Sequence, residues 1–104
     1  MSFEIEQVIK DMTVAINGAV KESGGDITSA AQDILEVQKE SLKELVEAKL
    51  RGEIDQEIFD REIEREKKVV EAELLTIQIM TKALAQKAVN AAIEVFEKAV
   101  KAAI

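Results

Sequence analysis

The sequence predicts an all-α fold, with three helices in an elongated antiparallel bundle. The chain of 104 residues has no proline and only 4 glycines, so little interrupts a helical pattern. Its apolar residues are aliphatic, with 14 Ala, 12 Ile, 10 Val and 7 Leu against 3 Phe, and they recur at intervals of three and four. Charged residues, 34% of the chain, supply the polar faces. The length fits one domain over residues 1–104. A chain of that size buries about two-thirds of its unfolded surface, enough for a modest core.

The first helix is expected over about residues 3–22. Ser2 is a suitable N-cap, and Glu4 and Glu6 sit at the positive end of the helix dipole. Ile5, Val8, Ile9, Met12, Ala15, Ile16, Ala19 and Val20 form one apolar face, and Ser23-Gly24-Gly25 ends it. Gly18, inside that pattern, reads as a close helix crossing.

The second helix is expected over about residues 27–51, with Asp26 as its cap. Ile27, Ala31, Ile34, Leu42, Leu45 and Ala48 make its stripe, widened by Leu35, Val37, Val46 and Leu50. Arg51-Gly52 closes it, with a base in the last turn and a glycine where a left-handed residue is wanted. Ile54, Asp55 and Phe59 then form a capped turn. Asp55 is the N-cap of the next helix, and Ile54 and Phe59 occupy the two positions of a hydrophobic staple.

The third helix is expected over about residues 56–103. No glycine follows Gly52, so nothing obvious stops it, and at about 1.5 Å per residue it would run roughly 75 Å. Its first half is charged, with Phe59, Ile63 and Val70 as a narrow seam. Glu62, Glu66 and Glu73, like Glu36 on the second helix, read as solvated positions. From Leu74 onward the helix is strongly apolar. Its polar positions occupy an arc of about 160°, which leaves an apolar arc too wide for one partner helix. The second helix should fold back along residues 56–79. The first should cover the remainder, either in line with the second, as the apolar weight of residues 74–104 favours, or folded back into a compact three-helix bundle with the C-terminus projecting. Part of the arc is left for a second copy of the chain. Leu84, Ala88, Ala92, Val95, Phe96 and Ala99 are the expected oligomer interface, most simply of a twofold dimer.

Residues 42–70 carry Leu42 and Leu45, then Gly52-x-Ile54-Asp55, then Phe59 seven residues after the glycine. This layout resembles the SHOCT module, a short helical hairpin. Asp55 stands where that module usually has Thr, and Glu62 and Ile63 where it has lysines. The resemblance covers this segment alone and implies a role in oligomerisation or protein contact, with no catalytic residues.

Composition narrows function further. The chain has no His, Cys, Trp or Tyr, so the Glu-x-x-His pattern of a di-iron bundle cannot form, and no Ser or Thr has an imidazole or thiol partner. No catalytic, metal or cofactor residues are expected. Net charge is −7: residues 55–73 hold 8 acids against 4 bases, while residues 74–104 hold 2 against 4. Such a balance argues against nucleic acid. No uncharged apolar stretch is long enough to span a bilayer, and the acidic amphipathic N-terminus does not read as a signal peptide, so a cytoplasmic location is expected. The expected function is that of a non-enzymatic structural or interaction protein working as a homo-oligomer. The alternatives are an acidic regulator docking its charged hairpin end on a basic partner protein, and a peripheral membrane protein using residues 80–104.

Overall fold

Among the described residues there are four helices, not three. The computed structural model describes residues 3–22 and 25–104. In it, α1 is Ile5–Lys21, α2 Thr28–Leu50, α3 Gln56–Leu74 and α4 Lys82–Ala103. Each helix packs on its sequence neighbours, and α4 returns to pack on α1, closing an antiparallel bundle. The bundle measures 41 × 24 × 19 Å, far from a 75 Å rod. α1 lies alongside α2 and α4, so the expected in-line arrangement of the first two helices is replaced by a fold-back.

The long third helix is broken at Leu75–Thr81. Three local features account for the break without glycine or proline. The Thr76 amide and hydroxyl both donate to the Glu73 carbonyl, at 3.1 and 2.7 Å, closing a tight turn that ends α3. Thr81 is extended (φ −95, ψ 164), and its hydroxyl accepts the Leu84 amide at 3.2 Å as the N-cap of α4. Thr76, Ile77, Ile79 and Thr81 are also β-branched, which weakens a helix through their run. Met80 is buried and Ile77 half-buried, so the connector seats itself on the core. Ile79 reaches the neighbouring α1–α2 loop, where a Cβ on Gly25 would stand 2.6 Å from its Cδ1.

The α2–α3 turn forms as its sequence pattern indicates. Gly52 has φ 74, and the Asp55 carboxylate accepts the Ile58 amide at 2.9 Å. Phe59 is buried, with Ile54 half-buried against the core. At the other end, Asp26 lies one residue before the N-cap position, which Ile27 occupies. The Asp26 carboxylate accepts both the Thr28 amide at 3.1 Å and the Thr28 hydroxyl at 2.9 Å. The Asn17 side chain accepts the Ile27 amide at 2.9 Å, tying the loop to α1. Ser2, Ser23 and Gly24 lie outside the described residues. The described N-cap of α1 is Glu4, which makes no side-chain cap. Gly18 marks no crossing: it is exposed, and a Cβ there would meet nothing within 4 Å.

The core is a single aliphatic cluster drawn from all four helices. At one end it holds the three phenylalanines. Phe96 meets Phe3 edge-on at 6.1 Å and stacks on Phe59 at 6.5 Å between ring centres.

Candidate functional site

The residues expected to form an oligomer interface lie on α4, and the fold uses most of them internally. Phe96 is 0% exposed, and Ala88 and Ala92 are fully buried as well. Leu84, Val95 and Ala99 are half-buried and pack against the same core. The apolar arc is too wide for one partner, and within the chain it receives two: α1 on one side and α3 on the other. A second copy can reach Ala88, Ala92 and Phe96 only if the bundle opens.

The turn residues Gly52, Ile54, Asp55 and Phe59 come together as a structural unit. Around them the charges are paired rather than massed. Arg51 meets Glu53 at 3.0 Å, Arg61 meets Glu57 at 3.4 Å and Arg65 meets Glu62 at 3.5 Å. These are exposed pairs along one surface, each a small contribution to stability.

Cross-helix polar contacts, which spacing could not reveal, fasten the bundle. Lys39 on α2 reaches Glu6 on α1 at 2.8 Å and Glu36 on its own helix at 3.4 Å. The hydrogen bond from Lys39 holds the Glu6 carboxyl below its usual range, and the same bond raises Lys39. Lys87 on α4 pairs with Glu22 just after α1, and its hydrogen bond lowers Glu22. The Thr28 amide lowers Asp26 first, with help from the Thr28 hydroxyl.

Two polar residues sit deeper than their sequence positions suggest. Thr13 is buried, with its hydroxyl donating to the Ile9 carbonyl at 2.8 Å. Glu66, read from sequence as solvated, is half-buried on the core-facing side of α3. One carboxylate oxygen accepts from the Ser41 hydroxyl, and the other is buried with no hydrogen-bond partner. Glu66 falls on the stripe of Phe59, Ile63 and Val70, and that phase was its available signal. Chemically the Ser41–Glu66 contact ties α2 to α3. A serine beside a carboxylate, in a chain without imidazole or thiol, lacks the usual base of nucleophilic catalysis.

A groove of about 430 Å³ runs between α1 and α2. The buried Ile9 and Thr13 line it, with the exposed Val14 and the charged Glu6, Lys10 and Glu36 around them. Val14, 71% exposed, is among the most open large apolar residues. Among the described residues, no group of three or more carboxylates is placed to hold a metal ion. No described helix is long and apolar enough to cross a membrane. No protein-family model, curated protein or solved structure matches the chain.

Proposed function

We propose that this protein is a non-enzymatic structural or interaction module, a helical bundle that associates with copies of itself. The observation that carries the reading is the employment of its ionisable groups. The carboxylates whose acidity is displaced, Glu6, Glu22 and Asp26, are exposed; the first two are held by lysines of another helix, and Asp26 by the amide of Thr28 at the start of α2. Groups tuned for a reaction commonly shift through burial, whereas in these three burial opposes the shift. These build a scaffold instead. The SHOCT-like hairpin over residues 42–70 points the same way, since it implies oligomerisation or protein contact. Association occurs in the cytoplasm in this reading, with no cofactor.

Light scattering from low to high micromolar concentration tests it. The expected result is a concentration-dependent species of twice the 11.5 kDa chain mass. A monodisperse monomer across the whole range overturns self-association.

A further inference from the structure

We propose that two copies of this chain exchange α4, with α3, the connector and α4 of each straightening into one helix. The inference rests on the self-association reading and specifies its geometry. It comes from the phase of the buried positions. On α3 these are Phe59, Ile63, Val70 and Leu74; on α4 they are Ala85, Ala88, Val89, Ala92, Ile93, Phe96 and Val100. Counted straight through the connector at 100° per residue, all eleven fall within an arc of about 160°, less than half of the helix circumference. Two helices folded back on each other have no need of a shared phase. The connector continues it: Ile77 and Thr81 bridge Leu74 to Ala85 in steps of three and four. The sequence thus retains the pattern of a single amphipathic helix over residues 56–103, about 70 Å long.

The backbone permits the change. The connector has no glycine, no proline and no positive φ, and Leu75 is already in the helical region (φ −67, ψ −13). Thr81 must rotate from its extended conformation. Straightening forfeits the Thr81 cap and the seat of Met80. In return it replaces the three-residue turns that now hold the Glu73 and Leu74 carbonyls by regular four-residue helical bonds. Each α4 then carries its apolar face to α1 and α3 of the other copy, where Phe96 meets that copy's equivalents of Phe3 and Phe59. The partner is a second copy because the exchange remakes the same interface, the general logic of domain swapping.

One substitution separates the two states. Lys82 is the first residue of α4, exposed, and follows an extended Thr81. Proline is favoured at that position and tolerates that predecessor, so Lys82→Pro suits the folded-back chain. In a straightened helix the same proline falls mid-helix, which should weaken the dimer at least about a hundredfold. Glu64 and Glu97 flank one groove between α3 and α4. Spin labels on a Glu64→Cys/Glu97→Cys chain, diluted into unlabelled protein, therefore read a short distance in the folded-back chain and about 50 Å in the straightened one. The expected result is a dimer showing the long distance, both lost in Lys82→Pro while its helicity and monomer melting persist. A dimer with only the short distance, indifferent to Lys82→Pro, overturns the exchange and leaves self-association standing. A monomer at every concentration overturns both.

Discussion

Gly18 and Gly52 show how differently one residue type behaves in this chain. Gly52 sits at φ 74, where a Cβ is disfavoured, so Gly52→Ala should destabilise by about 1 kcal/mol. Gly18 lies within α1, exposed and with open space around it, so Gly18→Ala should stabilise by about 0.5–1 kcal/mol through helix propensity. Denaturant melts of the two variants should move in opposite directions. The first role was legible in Arg51-Gly52 followed by a capping Asp55. The second was not, because a glycine in a periodic pattern looks the same whether a neighbour covers it or solvent does. Residue-scale pairing also sets the response to pH. Glu6, Glu22 and Asp26 titrate below their ordinary values in the folded chain, so their contribution is present above the unfolded carboxylate pKa. It is lost as pH falls through the lowered folded values, and thermal stability should decline below about pH 4. Lys39 is raised, so its contribution is complete below the unfolded lysine pKa and is lost as pH rises through its folded value. Lys39→Met should blunt both edges, which melting temperatures against pH would show.

At the scale of the element, α1, α2 and the α2–α3 hairpin were readable because their punctuation is conventional. Glycines and aspartates stand at the ends, and apolar residues recur at three and four between them. The break between α3 and α4 was hidden because its punctuation is a threonine. Thr81 caps α4 only when the chain turns there, and in an uninterrupted helix it is merely one more β-branched residue on the stripe. The decision therefore lies in tertiary packing: folding back lets α1 and α3 cover the wide arc of α4 together. Thr81→Ala removes the cap and favours the helical connector. It should cost the folded-back chain about 1 kcal/mol in a dilute melt and raise the dimer fraction at high concentration.

At the scale of the whole molecule, most of the large apolar residues gather in one core, and the candidate interface is part of it. Phe96 looked like a surface anchor because one covering helix would have left it exposed. In the bundle it lies between Phe3 and Phe59, joining both ends of the sequence to the middle. Phe96→Ala should therefore cost about 3–5 kcal/mol of folding stability in a denaturant titration, beyond any effect on association. The single chain breaks its long apolar helix at 75–81 and buries the second half against itself. Hydrogen exchange on the chain at submicromolar concentration is the measurement that checks it. The account predicts rapid exchange across residues 76–81 between two protected helices, with protection spreading into the connector as concentration rises. Uniform protection from α3 into α4 in the dilute monomer would contradict it.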